Sequence, residues 1–269
     1  MANLADIVAA TRRKVSECRS RADWRRLEQQ ASLHVPRGFR AALQPAGESG
    51  IAVIAELKKA SPSRGLIRRD FDPAKLAKEL ESAGAAALSV LTNEDFFQGS
   101  VQNLRIASAE TRLPCLRKDF IVDALQIIEA RANGADAVLL IVAALSQNEL
   151  RALKQKADDY ELDVLCEVHD EDELHLALDA GCDLIGVNSR DLRTFKVELR
   201  TAFRLAERMP KNVLAVAESG IESGNDIAQL RTAGYRAFLI GETLMRAEKP
   251  GEALKSLLAE ASAASAIAP

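Results

Sequence analysis

The sequence predicts an α/β fold, a single-domain (β/α)8 TIM barrel with an N-terminal helical extension. Four segments share one plan, in which a helix ends at a glycine and an apolar run of strand length follows: SAGAAALSV, ANGADAVLL, DAGCDLIGV and TAGYRAFLI. Runs that are apolar on both faces suit parallel strands covered by helices. The chain has 269 residues, 48% of them hydrophobic, and such a barrel typically needs ~250 residues.

Eight strands are predicted, and helical segments separate all of them. The strands are Ile51 to Glu56, Ala86 to Leu91, Leu113 to Arg117, Ala137 to Val142, Asp163 to Glu167, Leu184 to Asn188, Val213 to Glu218 and Ala237 to Ile240. The four repeat glycines, Gly84, Gly134, Gly181 and Gly234, are expected in the left-handed conformation just past a helix end. An open doubly wound sheet is the alternative, but no glycine-rich dinucleotide turn follows the first strand.

Several helix starts are recognisable between these strands. The segments Pro73 to Ala83, Asp123 to Asn133, Ser146 to Asp158 and Asp170 to Ala180 each begin with a proline, aspartate or serine. Such residues satisfy or lack the N–H groups that a first helical turn leaves unpaired.

Residues 1–50 are predicted to form an N-terminal helical extension packed on the barrel, and residues 51–269 the catalytic barrel. The expected elements of the extension are helices at Leu4 to Cys18 and near Ala22 to Ala31, then a loop through Pro36 and Pro45. At the other end, the small-residue tail after Ala259 is expected to fray.

Composition excludes several classes of function. Lys and Arg number 36 against 39 Asp and Glu, a formal net charge of -3, which gives no support for nucleic-acid binding. The four cysteines form no CxxC pair and no metal-ligand cluster, which is typical of a reduced protein. No secretion signal is recognised, and no run approaches the ~20 apolar residues of a membrane span. We therefore expect a cytoplasmic protein that does not bind membranes.

Charged or polar residues directly follow seven of the eight strands. The strand ends read Glu56-Leu57-Lys58, Leu91-Thr92-Asn93, Lys118-Asp119, Glu167, Asn188-Ser189-Arg190, Glu218-Ser219-Gly220 and Gly241-Glu242. In a parallel barrel the carboxyl ends of all strands lie around one face, and the active sites of such enzymes are found there. Because side chains alternate along a strand, Glu56 and Lys58 should point the same way. The fourth strand ends without charge and should form an apolar wall.

The last two units predict a phosphate site. Ser219-Gly220 and Gly241-Glu242 follow the seventh and eighth strands, and each pair leads toward a helix start. Free N–H groups at a helix start attract anions, and these loops bind phosphate in many barrels.

A family resemblance rests on motifs at successive strand ends. AELKKASPSRG, VLTNEDFFQGS, LRKDFIVD, GADAVLLIVAAL, CEVHDEDEL, IGVNSRDLRTF, AESGI and AFLIGETLMR resemble those of the indole-3-glycerol phosphate synthases over about residues 51–247. The resemblance implies ring closure, decarboxylation and dehydration of 1-(2-carboxyphenylamino)-1-deoxyribulose 5-phosphate to indole-3-glycerol phosphate, in tryptophan biosynthesis. It implies a small anionic substrate, no cofactor and no metal, and a monomer or weak homodimer.

Carried over position by position, the resemblance also implies roles. Lys118 corresponds to the general acid and Glu167 to the general base, while Lys58 and Glu56 form a supporting pair. The remaining implied residues are Asn188 and Glu218, which orient substrate and catalytic groups; Ser219, Gly220, Gly241 and Glu242 at the phosphate; Phe97 and Phe120 around the aromatic ring; and Ser61 and Arg190 at the border of the site. Many relatives have serine in place of Glu242, whose carboxylate would repel a phosphate unless it turned away.

Two alternatives stay open on the residues alone. A related barrel, phosphoribosylanthranilate isomerase, works through a Cys and Asp pair, but Cys166 should point away from the barrel interior if Glu167 points into it. A catalytically idle barrel could bind a sugar phosphate as a sensor, although Lys58, Lys118 and Glu167 argue for catalysis. For the acid role, we expect a partly desolvated lysine beside another cation, with its pKa lowered toward neutrality.

Overall fold

Eight parallel strands close into a barrel in the computed structural model, which describes residues 3–191 and 196–267. The strands are β1 Ala52–Leu57, β2 Ala87–Leu91, β3 Cys115–Lys118, β4 Ala137–Ile141, β5 Asp163–Val168, β6 Leu184–Asn188, β7 Leu214–Glu218 and β8 Ala237–Ile240. Each strand pairs with its neighbours in chain order, and β8 closes the barrel on β1 through Ala52 opposite Ala237. The predicted fold is confirmed, with every strand bound within two residues of its prediction.

Helices surround this barrel and precede it. They are α1 Leu4–Arg21, α2 Trp24–Leu33, α3 Phe39–Ser49, α4 Pro73–Ser82, α5 Glu94–Phe97, α6 Val101–Ala109, α7 Ala124–Ala132, α8 Gln147–Asp159, α9 Glu171–Asp179, α10 Arg200–Ala206, α11 Gly224–Thr232, α12 Glu242–Arg246 and α13 Pro250–Ile267. A 3-10 turn, Val142–Ala144, follows β4, and a short hairpin of Ala60–Ser61 with Gly65–Leu66 follows β1. No helix among these described residues has the length and apolarity needed to cross a membrane.

The predicted helix ends and starts have the local chemistry expected of them. The repeat glycines Gly84, Gly134, Gly181 and Gly234 all have positive φ, between +78° and +117°. At the starts of α4, α7, α8 and α9, the side chains of Asp72, Asp123, Ser146 and Asp170 accept hydrogen bonds from first-turn backbone N–H groups. These bonds satisfy donors that the helix itself leaves unpaired.

Alternation along the strands divides the core into two layers. In β1, Ala52 and Ile54 belong to the apolar cluster inside the barrel, whereas Val53, Ala55 and Leu57 join the cluster between strands and helices. Both faces of each strand are thereby buried, which explains why the strands read as continuous apolar runs.

Helix α3 corrects part of the loop expected through Pro36 and Pro45: Pro36 lies in a loop, as expected, but the helix begins at Phe39. Pro45 lies inside this helix, although proline in a helix interior costs about 3 kcal/mol. Phe39 and Leu43, one turn apart, are fully buried in the cluster inside the barrel. Since burying each such side chain contributes about 1.5–3 kcal/mol, closing the amino-terminal end of the barrel offsets the proline.

The tail is also helical, which corrects the fraying expected after Ala259. Helix α13 continues to Ile267, and Ala261 is fully buried. Gly224 at the start of α11 lies so close to α13 that a Cβ there would be 2.3 Å from the Cβ of Glu260. The beginning of the tail, at Glu260 and Ala261, is therefore packed against the rest of the fold. Residues 268–269 lie outside the described part.

Asp136, at the amino-terminal side of β4, ties the N-terminal segment to the barrel. Its fully buried carboxylate accepts hydrogen bonds from the Arg37 guanidinium at 2.6 Å and from the backbone N–H of Cys115 at 2.6 Å. His34 Nε2 lies 3.1 Å from the same carboxylate. Burial would raise the pKa of Asp136, but the bonds from His34 and Arg37 hold it below its usual value.

We predict that Asp136→Ala lowers the free energy of unfolding by about 3 kcal/mol or more, because it leaves the Arg37 guanidinium partly buried without its counter-ion. Urea unfolding followed by circular dichroism measures this. As a control, Asp158→Ala removes only the surface pair with Lys154 and should cost less than about 1 kcal/mol. Equal losses in the two variants would contradict the anchoring role.

Candidate active site

One cavity of about 550 Å³ opens at the carboxyl ends of the strands. All of the residues singled out from the sequence line it: Glu56, Lys58, Ser61, Phe97, Lys118, Phe120, Glu167, Asn188, Arg190, Glu218, Ser219, Gly220, Gly241 and Glu242. Its size is within the usual ~300–1,000 Å³ of a small-molecule site. Residues 192–195, the end of the IGVNSRDLRTF motif, lie outside the described residues.

Lys118, the last residue of β3, lies at the centre of the charged groups. Its Nζ is 2.8 Å from Glu218 Oε2 and 3.3 Å from Glu167 Oε2. Both carboxylates are almost completely buried. The three residues come from β3, β5 and β7, so only closure of the barrel brings them together.

The Lys118 pKa overturns the expectation of a lysine tuned toward neutrality by another cation. Burial by itself would lower the pKa of Lys118. The negative charges of Glu218, Glu167 and Glu56 raise it by a larger amount, so the pKa is well above the ordinary lysine value. The nearest charges are anions, not Lys58. Beside these carboxylates Lys118 is therefore an ammonium.

The two carboxylates beside Lys118 differ in pKa. Burial raises the pKa of Glu218 to about 7, since the pull of Lys118 is countered by the nearby Glu167. Burial acts on Glu167 too, but Lys118, His169 and a hydrogen bond from Asn188 hold its pKa below the usual range. Glu167 is thus the ionised member of the pair, as a base requires.

Glu56 and Lys58 form a second ion pair on β1 and its following loop. Lys58 Nζ lies 2.7 Å from Glu56 Oε1, and both side chains face the cavity. Burial would raise the pKa of Glu56, but Lys58 and Lys118 lower it below the ordinary value. The alternation along β1 predicted this shared direction.

Two glycines make room for these carboxylates. A Cβ on Gly186, in the middle of β6, would lie 2.0 Å from Glu218 Oε1, and a Cβ on Gly241 would lie 2.3 Å from Glu56 Oε1. Gly241 therefore makes room for the Glu56 side chain, in addition to the phosphate contact predicted for its backbone. Gly186 was not recognised from the sequence, although a glycine inside a strand is a signal of close approach.

Arg117 and Asp119, on either side of Lys118 in the chain, fix the end of β3 through a network of hydrogen bonds. The buried Arg117 guanidinium donates to Thr92 Oγ1, to the carbonyl of Gln126 and to Asp119 Oδ2. Asp119 also accepts from Thr92 Oγ1 at 2.6 Å and from the backbone N–H of Phe120 at 2.9 Å. This network orients the residues on either side of Lys118.

One side of the cavity is apolar. The rings of Phe97 and Phe120 lie 6.2 Å apart at 38°, and Leu139 and Ile141 supply the uncharged wall predicted for the fourth strand. Leu4 and Ile7 of α1 also line the cavity. The sequence predicted a helix here, packed on the barrel, but only the fold places Leu4 and Ile7 in the lining of the cavity.

The opposite side carries the loops after β7 and β8. Ser219 and Gly220 have φ of +66° and +77°, so this loop turns in the left-handed region. The Glu242 carboxylate lies 2.9 Å from Arg64 and 3.6 Å from Arg246. Arg190 is 3.7 Å away. Three arginines therefore surround the Glu242 carboxylate at this end of the cavity, where Glu222 also lies.

Arg64 and Arg246 were missed because neither directly follows a strand. The signal in the sequence was the charge of the SPSRG and LMR segments, which adjoin two cavity loops. The isomerase alternative needs a cysteine in the cavity, but Cys166 belongs to the cluster between strands and helices and points away from it. In the described part of the chain, no group of three or more His, Cys, Asp or Glu side chains is placed to bind a metal ion.

Comparison of the sequence with known proteins points to one family. A family model described as "Indole-3-glycerol phosphate synthase" matches residues 4–257. The indole-3-glycerol phosphate synthase of Koribacter versatilis is 59% identical over 255 residues, which cover 95% of this chain and 98% of the relative. The one of Chlorobium luteolum is 50% identical over 251 residues, covering 93% and 95%.

Solved structures agree in fold. KGPDC from Streptococcus mutans superposes with a TM-score of 0.61 at 11% identity, covering 79% of this chain and 98% of that one. Thiamine phosphate pyrophosphorylase from Pyrococcus furiosus gives a TM-score of 0.61 at 16% identity, covering 80% and 96%. At this identity the likeness concerns the barrel alone.

We predict that Gly186→Ala displaces Glu218 and costs about 1–3 kcal/mol of stability by overpacking. In a Glu218→Ala background the same change should cost less, by at least about 0.5 kcal/mol, because its main clash is gone. A double-mutant cycle on free energies of unfolding measures the difference. The same cost in both backgrounds would show that Glu218 does not depend on this glycine.

Proposed function

The chain belongs to the indole-3-glycerol phosphate synthase family and carries out its carboxy-lyase reaction in tryptophan biosynthesis; we propose that the cavity at the barrel mouth is where that reaction takes place. The observation that carries the proposal is the position of Lys118, an ammonium between Glu167 and Glu218 in a cavity with an aromatic side and a cationic end. An acid and a base are thereby held next to a slot for an anionic aromatic substrate.

The substrate, 1-(2-carboxyphenylamino)-1-deoxyribulose 5-phosphate, has a carboxylated ring at one end and a phosphate at the other. We place the ring against Phe97 and Phe120, and the phosphate at Ser219, Gly220, Gly241 and Glu242, with Arg190 and Ser61 at the border. Lys58 then contacts the substrate carboxylate, and Glu56 holds Lys58. The spacing of an aromatic side and an arginine-rich end within one cavity supports this orientation.

Ring closure joins the ring carbon that bears the carboxylate to the carbonyl carbon of the sugar. Negative charge develops on the carbonyl oxygen, and Lys118 donates a proton to it, leaving a hydroxyl group. Because Glu218, Glu167 and Glu56 raise the pKa of Lys118, the ammonium is present over the whole neutral range. It acts first by stabilising the developing charge, and the proton follows as the oxygen becomes basic.

Carbon dioxide then leaves with its bonding electrons remaining in the ring system, which restores aromaticity. Dehydration completes the indole ring: Glu167 removes a proton from the new five-membered ring, and Lys118, reprotonated from solvent, donates the proton with which the hydroxyl leaves as water. The lowered pKa of Glu167 keeps it in the basic form. We assign Asn188 and Glu218 to orienting the substrate hydroxyls and the Lys118 ammonium.

The Glu242 carboxylate need not repel the phosphate. It lies within 4 Å of Arg64, Arg190 and Arg246, whose positive charges offset the negative charge of this carboxylate. This supports backbone contact with the phosphate at Glu242 and a structural task for its side chain, the alignment of these arginines.

We further propose that residues 1–50 form an extension and residues 51–269 the catalytic barrel, with α1 covering the site through Leu4 and Ile7. We also propose a monomer or weak homodimer, because the described large hydrophobic residues that are exposed, Leu33, Val35, Leu66 and Val197, are few. A cytoplasmic location suits the free thiols of Cys18, Cys115, Cys166 and Cys182.

Lys118→Ala tests the proposal directly. We expect the variant to fold and to form indole-3-glycerol phosphate at a rate lower by at least about 10²-fold, the usual contribution of a general acid. The absorbance of the indole ring of the product measures turnover, and Lys255→Ala, at an exposed position on α13, serves as the matched control with unchanged rate. A Lys118→Ala enzyme with more than about a tenth of the wild-type rate would refute the acid role.

Arg64→Ala tests the cationic end. Loss of about 1 kcal/mol of ionic contact should raise KM roughly fivefold, while kcat stays within about twofold because the arginine acts on binding in both ground and transition states. Arg69→Ala, an exposed arginine further along the same loop, is the control. A fall in kcat at unchanged KM would place Arg64 in the chemical step instead.

A further inference from the structure

His169 lies two residues after Glu167, in the short connection between β5 and α9. It takes no direct part in the proposed reaction. Because side chains alternate, it projects to the same side as Glu167. Its Nε2 lies 3.5 Å from Glu167 Oε1, while Glu167 Oε2 faces Lys118 at 3.3 Å. The two oxygens of Glu167 therefore face two different basic groups.

The other ring nitrogen of His169 is held firmly. Nδ1 lies 2.9 Å from Glu173 Oε2, and the same oxygen accepts the backbone N–H of His169 at 2.8 Å. Glu173 is fixed in turn, since its own N–H donates to the helix cap Asp170 at 2.9 Å. The first turn of α9 thus positions the imidazole.

The charge of the ring follows from its partners. An ionised carboxylate can only accept hydrogen bonds, so Nδ1 must carry a proton toward Glu173. Nε2 is buried and has no hydrogen-bond partner among the described residues, but its nearest charge is the Glu167 carboxylate. A second proton on Nε2 gives an imidazolium between two anions, the favourable arrangement at these distances.

We propose that His169 is a positioning residue for the base: its imidazolium, held by Glu173, pairs with Glu167 Oε1 and keeps the base ionised and oriented toward the substrate. The inference rests on the proposed function of Glu167. It explains how a site with three buried carboxylates, Glu56, Glu167 and Glu218, but only two ammonium groups keeps Glu167 charged. A purely structural role at the start of α9 needs only the backbone N–H of His169.

The pH dependence of kcat/KM separates these roles. In His169→Gln the backbone bond to Glu173 remains but the positive charge is gone, so the pKa of Glu167 should rise. The acidic limb of the profile then moves to higher pH by about half a unit to one unit. The other groups around Glu167 and His169 are unchanged in the variant: Lys118 from β3, Glu218 from β7, Glu56 and Lys58 from β1, Asn188 from β6 and Glu173 from α9.

His175→Gln, the same change at an exposed position on α9, should leave the profile unchanged. Glu173→Gln should move the acidic limb in the same direction as His169→Gln, because it weakens the hold on the imidazolium. A His169→Gln enzyme whose profile superimposes on that of an active wild type overturns the inference and leaves the proposed function intact. A wild type that forms no indole-3-glycerol phosphate overturns the proposed function.

A second measurement needs no turnover. The coupling between the two groups is reciprocal, so Glu167→Gln should lower the pKa of His169. Nitrogen NMR of the imidazole, titrated in the wild type and in Glu167→Gln, measures this directly. A His169 titration that Glu167→Gln leaves unchanged would overturn the inference even if His169→Gln lost activity by unfolding.

Discussion

The structure of the site depends on one constraint, the burial of the Lys118 ammonium. A charge removed from water is costly unless counter-ions replace the lost hydration, and Glu167 and Glu218 do so at 3.3 and 2.8 Å. Each buried carboxylate then needs space and partners of its own. Gly186 provides the space for Glu218, while Asn188 and His169 provide partners for Glu167. The pKa differences that suit acid and base chemistry follow from this mutual compensation, and not from a single lowered lysine.

Apolar and cationic side chains lie at different ends of the cavity. Aromatic and aliphatic side chains from β4, α1 and the loops after β2 and β3 form one side, and the arginines around Glu242 lie at the other end. In the proposed function this arrangement orients an anionic molecule with an aromatic ring before any bond forms, which brings the reacting carbon and the acid into proximity. The charged groups that we propose to act in the reaction line the same cavity, on strands of the closed sheet.

Much of the fold could be predicted because its signals are local. A glycine after a helix, an apolar run and a capping residue each act over a few residues, and β1 to β8 follow them closely. Helix α3 and the helical tail could not be predicted in this way. Pro45 argues against a helix interior locally, and burial of Phe39 and Leu43 against the barrel outweighs that preference. The alanines of the tail favour a helix, but a short segment at the end of a chain is marginal without packing, which the burial of Ala261 supplies.

The sequence by itself determined which residues meet at the mouth, because parallel strands end at the same face and side chains alternate along each strand. Lys118, Glu167, Glu56 and Lys58 were all identifiable on that basis, together with the family motifs. Only the tertiary structure decided the protonation of these groups and the partners Arg64, Arg246 and His169. A pKa depends on burial and on charges a few ångströms away, and those distances join strands and loops that are far apart in the chain.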